Sequence, residues 1–246
     1  MTSPRMSDTL VFFPTFNEAG SVGQLVDRLL ALPRRCDVLV VDDKSTDGTA
    51  DILAQRAAAD PRLRVINRAG KLGIGSAHKL GWSHARDAGY DRIVTMDADL
   101  SHNPDDVPRL LAALDAGADV VVGSRFMPGG QLDYEGWRRF VSVGGNTLAR
   151  ALLGLKITEY TTSFRAARLA SVPAGLVETI DSDGYSFFLT CVVRFGRAGL
   201  RISEVPIHFV DREHGQSKIP KLELLRCMAN LADLAIGPAR FKKLDR

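Results

Sequence analysis

The chain of 246 residues is 45% hydrophobic, 7% aromatic and 25% charged, ordinary values for a globular protein that exclude collagen-like and disordered classes. Its 32 basic and 29 acidic residues leave a net charge of +3, too mild to point to nucleic acid. No run approaches the roughly 18 apolar residues of a membrane span, residues 1–10 lack a signal-peptide apolar core, and Cys36, Cys191 and Cys227 are widely spaced, as in a reducing compartment and without a zinc pattern. The expectation is a cytoplasmic α/β enzyme or binding protein.

In chain order, the apolar run 10–13 leads into Pro14-Thr15-Phe16-Asn17-Glu18. Val22, Leu25, Val26, Leu29 and Leu30 then recur at helical spacing behind Ser21, a candidate cap. A second run, 38–41, ends in Asp42-Asp43, and Asp47 or Thr49 can open a helix through Ala59. A glycine-rich stretch from Arg68 to Ala77 opens a helix over 76–88, and a third run, 93–96, ends in Asp97-Ala98-Asp99. Asn103 before Pro104 marks the start of a helix to Ala116, and 120–122 is a fourth strand. Alternating strand and helix predict a doubly wound, mostly parallel sheet with helices on both faces. Ligands bind such sheets beyond the carboxyl ends of the strands, where Glu18, Asp43, Asp97 and Asp99 fall.

The second half is less regular. Helices are expected over 137–153 and 182–197, and Pro206 marks 202–210 as an edge strand. Residues 222–236 plot as a helix with Glu223, Arg226, Asn230 and Asp233 in one arc, apolar elsewhere, stopped by Gly237-Pro238 and followed by a basic tail. This predicts one domain over 1–220 with an appended amphipathic helix and tail, 221–246. That helix either lies in a membrane interface or packs on the domain.

Two carboxylates two positions apart on extended backbone point the same way, so Asp97 and Asp99 can hold Mg²⁺ or Mn²⁺ together with substrate phosphates. A solvated acidic turn would look the same. A carboxylate at Asp43 can accept hydrogen bonds from a ribose or base. The loop containing Lys71 and Gly73 can cradle phosphate, although it matches neither the dinucleotide fingerprint nor the Walker loop.

Taken in order, Pro14–Glu18, Asp42-Asp43, the Gly73 loop, the stretch from Asp97 to Pro104, Gly123-Ser124-Arg125, Pro128-Gly129-Gly130, Trp137-Arg138, Ser142, Asn146 and the final Asp211-Arg212 with Ser217-Lys218 resemble the family 2 glycosyltransferases of GT-A type. Within that family they resemble the dolichyl-phosphate (polyprenyl-phosphate) mannosyltransferase group. The resemblance implies transfer of a hexose, foremost mannose from GDP-mannose, onto a polyprenyl or dolichyl phosphate. It implies that Pro14, Asn17, Glu18, Asp43, Lys71, Gly73, Asp97 and Asp99 bind the nucleotide sugar. Asp97, Asp99 and Ser101 would hold the metal. Arg125, Arg138, Ser142, Arg165, Arg212 and Lys218 would gather the acceptor phosphate, with Asp99, Arg125 and Arg138 closest to the chemistry.

An anionic phosphate acceptor needs positive charge rather than a general base, and arginine's planar fork suits its oxygens. Arg150, Arg194 and Arg197 are expected on solvated faces. Two stretches depart from the family. Ser163 stands where the group has glycine, and Phe188 and Thr190 stand where it has glutamine and glutamate, which opens the question of sugar identity. UDP-glucose or UDP-N-acetylglucosamine as donor is a close alternative. A hydroxyl acceptor with Asp181 or Asp183 as base is another, and a non-catalytic nucleotide-sugar module a third. A dinucleotide oxidoreductase would need a Gly-x-Gly-x-x-Gly after the first strand, which is absent.

Overall fold

The computed structural model describes residues 5–182, 184–211 and 221–236, the last segment with side chains from Arg226 onward. In chain order the strands are β1 (Thr9–Thr15), β2 (Asp37–Asp42), β3 (Leu63–Asn67), β4 (Arg92–Thr95), β5 (Val120–Ser124), β6 (Gln131–Leu132), β7 (Arg165–Arg168), β8 (Ile202–Pro206) and β9 (His208–Phe209). The helices are α1 (Val22–Leu30), α2 (Thr49–Ala59), α3 (Ile74–Asp87), α4 (Val107–Asp115), α5 (Gly136–Leu153), α6 (Ser186–Arg197) and α7 (Lys221–Ile236).

Seven strands form one sheet in the order β3-β2-β1-β4-β7-β5-β8, and β6 pairs with β9 separately. The strands read as unbroken apolar runs because both faces are covered. Leu10 and Phe12 enter one core with Leu39 and Val41, while Val11 and Phe13 enter the other with Val38 and Val40. Each fully buried side chain of this size contributes about 1.5–3 kcal/mol. β1 extends two residues beyond the expected run, through Pro14 to Thr15. Proline is tolerated because Phe12 and Pro14 face the β4 side, and β4 has ended: Met96 N–H donates to Phe12 O, whereas Asp43 N–H donates to Thr15 O from β2.

The mostly parallel sheet is the one expected, with two strands added. β3 is a half-buried edge. β7, with sequence Arg-Ala-Ala-Arg, runs antiparallel between β4 and β5. Its alanines are small enough to fit between two covered faces, Ala167 in one core and Ala166 in the other. The expected edge strand over 202–210 is split. β8 borders the sheet, and residues 208–209 leave it to pair with β6.

Asn103 caps its turn as expected, accepting from Asp105 N–H, whereas Ser21 makes no side-chain cap. The C-terminal helix α7 packs on α6 and α5. Leu231 is buried there, and Asn230 donates to Thr190 Oγ1 at 2.9 Å. Asn230 therefore faces the domain instead of joining a solvent arc with Arg226 and Asp233. Arg150 and Arg197 are exposed, as expected, whereas Arg194 is half-buried and tied to the carbonyl of Leu176. Among the described residues no helix is long and apolar enough to cross a membrane.

Candidate active site

The residues expected to bind the donor lie at the carboxyl ends of β1 and β2. Asn17 adopts φ +57° and its Oδ1 accepts from Thr46 N–H at 2.9 Å, locking the loop after β1 against the loop after β2. Asp47 accepts from Ala19 N–H and Thr49 N–H, so it serves as the turn-forming residue opening α2. The Glu18 backbone N–H donates to Thr49 Oγ1. Asp43 is buried and paired with Arg68, whose guanidinium also reaches Ser76 Oγ at 2.9 Å and Gly73 O at 3.2 Å. Arg68 thus ties the Asp43 strand end to the glycine-rich loop, a role the sequence signals only by its position at the head of that loop. Gly73 sits at φ +93°, a conformation glycine adopts without strain. Lys71 Nζ lies 4.2 Å above the Phe16 ring, so it reaches back over the end of β1.

Asp97 follows β4 and Asp99 sits in a bend over 98–101, with Leu100 at φ +63°, so extended backbone does not run through the pair. Asp97 Oδ1 accepts from Ser163 Oγ at 2.6 Å, and Asp99 Oδ1 accepts from Ser101 N–H at 3.0 Å. His102 is buried behind this bend, stacked on Phe164. Asp97 N–H donates to His102 Nδ1 at 3.2 Å, so the ring hydrogen belongs on Nε2, facing Thr162 Oγ1. Burial holds His102 below its ordinary pKa and so neutral near pH 7. The donor set fits a hard divalent cation. Asp97 Oδ2 accepts no hydrogen bond among the described residues, and Ser101 Oγ is buried without a partner. Among the described residues no cluster of three His, Cys, Asp or Glu side chains closes a metal cage, as for an ion completed by substrate oxygens.

The residues expected to gather the acceptor lie on β5, the loop after it and α5. Arg125 is held by both Glu159 oxygens, at 2.7 and 2.9 Å. Burial raises the Glu159 carboxyl, but the Arg125 charge and hydrogen bonds outweigh it and leave Glu159 below the usual carboxylate range. Burial disfavours the Arg125 cation, and Glu159 more than compensates. Arg125 Nη1 also reaches Tyr134 OH at 3.2 Å, and that hydroxyl donates to Ser142 Oγ at 2.9 Å. Arg138 lies over the Tyr134 ring and pairs with Asp211 at 3.1 Å. Tyr134 therefore joins Arg125, Arg138 and Ser142, a hub that sequence reasoning missed because a lone tyrosine between Gly130 and Trp137 carries no spacing signal. Asn146 pins α5 to the loop before β7 by accepting from Tyr160 N–H at 2.7 Å. A Cβ at Gly130 would sit 2.7 Å from the Arg125 carbonyl carbon, so only glycine lets the loop fold back here. Beside Arg125 opens a cavity of about 400 Å³, lined by Phe126, Leu132, Asp133, Arg139 and Val143.

Arg165 does not belong to this side. It is 3% exposed, donates to Tyr160 O, and its Nε and Nη1 have no hydrogen-bond partner. Burial pushes its pKa down. A guanidinium enclosed in this way has no path to a lipid headgroup, which corrects the expectation of an acceptor contact. Phe188 packs beneath it, and Thr190 is engaged with Asn230. Asp181 is exposed. Asp183, Arg212, Ser217, Lys218 and the basic tail lie outside the described residues.

A largely parallel sheet with an acidic bend at its carboxyl edge and an arginine cluster opposite defines a nucleotide-sugar transferase class. Residues 10–176 match the family described as Glycosyl transferase family 2, and the chain belongs to that family. It is 43% identical over 211 residues to an undecaprenyl-phosphate mannosyltransferase of Micrococcus luteus, covering 85% of this chain and 86% of that one. It is 40% identical over 230 residues to a polyprenol monophosphomannose synthase of Mycolicibacterium smegmatis, covering 93% and 87%. The fold is shared with a solved glucosyl-3-phosphoglycerate synthase from Mycobacterium tuberculosis, bound to Mn²⁺, UDP and phosphoglyceric acid (TM-score 0.66, 23% identity, 94% of this chain and 80% of that one). A mannosyl-3-phosphoglycerate synthase from Rubrobacter xylanophilus shares it too (TM-score 0.62, 18% identity, 96% and 78%). The fold is of GT-A type.

Proposed function

We propose that the protein transfers mannose from GDP-mannose to a polyprenyl phosphate at a membrane surface, with Mg²⁺ or Mn²⁺ bound at Asp97 and Asp99. One observation carries this reading. α5 bears Arg138 and Ser142 beside Arg125, and the same helix exposes Trp137, Phe140, Leu148 and Leu152 to the outside. A site for a phosphate and a site for its hydrocarbon thus share one helix. The names and identities of the two relatives support the substrate class.

Asp97, Asp99 and Ser101 would hold the cation, which when bound would supply positive charge to offset the developing diphosphate. Asp97 and Asp99 orient the donor, with Ser101 beside them. Asn17, Glu18 and Asp43 shape the nucleoside end, and Lys71 and Gly73 border its phosphates. Arg125, kept charged by Glu159, and Arg138 draw in and aim the acceptor. An acceptor phosphate oxygen attacks the anomeric carbon opposite the departing nucleoside diphosphate, so one C–O bond forms as another breaks and the configuration inverts. No base is required, because the attacking oxygen is already anionic. Exposed Trp137 and Phe140, flanked by arginines, would rest the enzyme on anionic lipid.

The test is a panel of radiolabelled nucleotide sugars against undecaprenyl and dolichyl phosphates, with and without Mn²⁺. GDP-mannose should give a β-linked lipid product, and Asp99→Ala should lose turnover. A retained configuration, a UDP-sugar preference or full activity of Asp99→Ala would each overturn the corresponding part.

A further inference from the structure

The side chain of Ser163 reaches from the loop before β7 to a carboxylate of the candidate metal site. Ser163 is 3% exposed and sits two residues before β7. Its carbonyl accepts from Thr95 Oγ1, and Thr95 is paired with Arg165 in the β4–β7 ladder. The residue is therefore fixed by the centre of the sheet. Its hydroxyl donates to Asp97 Oδ1 at 2.6 Å, a length typical of a hydroxyl meeting a carboxylate. On the other side, His102 Nδ1 lies 3.7 Å from Asp97 Oδ2 but already accepts from Asp97 N–H, so it offers that oxygen no hydrogen. One carboxylate oxygen is thus tethered, and the other is left to a cation.

We infer that Ser163 is a positioning residue for the metal site, holding the Asp97 carboxylate in a single rotamer with Oδ2 presented to the ion. This rests on the metal reading above. Groups that hydrogen-bond a ligating carboxylate typically change metal affinity 10- to 100-fold when removed. A glycine here would leave Asp97 free to rotate.

The experiment is Mn²⁺ binding to the full-length protein with saturating GDP, read by electron paramagnetic resonance of free Mn²⁺, for Ser163→Gly, Ser163→Ala, Ser163→Thr and Asp99→Ala. Ser163→Gly and Ser163→Ala should weaken Mn²⁺ binding by about 10-fold or more. Ser163→Thr, which keeps the hydroxyl, should bind within about threefold of the parent, and the GDP affinity measured without metal should not move in any of the three. Equal Mn²⁺ affinity of Ser163→Ala and the parent, with Asp99→Ala defective, would overturn the role of Ser163 and leave the metal site standing. Loss of metal-free GDP affinity in Ser163→Ala would instead mean a general distortion and also overturn it. Unchanged Mn²⁺ binding in Asp99→Ala would overturn the metal site and this inference together.

Discussion

Arg125 and Arg165 both have enclosed guanidinium groups, and they differ in what surrounds them. Arg125 meets Glu159 in a bidentate pair. Arg165 has no ion pair among the described residues and two unpartnered nitrogens. Removing one member of a buried pair leaves an uncompensated ion, so Glu159→Leu should cost about 3–5 kcal/mol, measured by urea denaturation. Replacing an unpaired buried ion by an apolar group of similar length should cost little, so Arg165→Met should unfold at the same urea concentration or higher. The sequence groups both arginines with the acceptor because they share a residue type and each lies in a stretch that resembles the family. What separates them is orientation: β7 turns Arg165 inward, while Arg125 stands at the open end of β5. The carboxylates of the donor side were legible because they end apolar runs. Their partners were not, since Arg68 and Ser163 reach them across 25 and 66 residues of chain.

At the scale of elements, most helices and four of the central strands are readable from apolar periodicity and caps. β7 is not, because Arg-Ala-Ala-Arg has no β-branched residue and its position is set by the strands it fills between. α5 was expected as a helix, yet its outward face matters more than its existence. Trp137 and Phe140 are 70% and 68% exposed and stacked on one another, and the helix contains no acidic residue. Trp137→Ser combined with Phe140→Ser should leave the protein folded and reduce co-sedimentation with vesicles containing anionic lipid by about tenfold. Unchanged sedimentation would remove α5 from the membrane reading. Removal of Lys221–Arg246 tests α7 separately. Because Leu231 and Asn230 pack on α6, this deletion should lower thermal stability, whatever it does to lipid binding.

For the whole molecule, pH sensitivity follows from a histidine inside the core. His78 is 1% exposed among Phe12, Phe187 and Phe188. Burial, and then the charge of Arg165, push its pKa from 6.5 down to about 3. Between those values the unfolded chain binds a proton that the native protein refuses. Stability is therefore complete above about pH 6.5 and falls as the pH drops toward 3, with a slope of up to about 1.4 kcal/mol per pH unit from this residue. A series of thermal midpoints from pH 7 to pH 4 should decline, and His78→Leu should flatten the decline. An equal slope in the variant would show that other groups set it.

The antiparallel strand in the middle of the sheet has a consequence for synthesis. β4 and β5 have no hydrogen-bonded link to each other until residues 165–168 arrive between them. As the chain leaves the ribosome, the nucleotide-binding half presents two unpaired strand edges and cannot close its sheet. Joining β5 and β8 to the β3-β2-β1-β4 strands must wait for a segment that lies about two thirds of the way along, a non-local pairing that leaves the β4 edge open to association until it arrives. The two parts of the sheet thus depend on one short Arg-Ala-Ala-Arg strand for every backbone hydrogen bond that joins them.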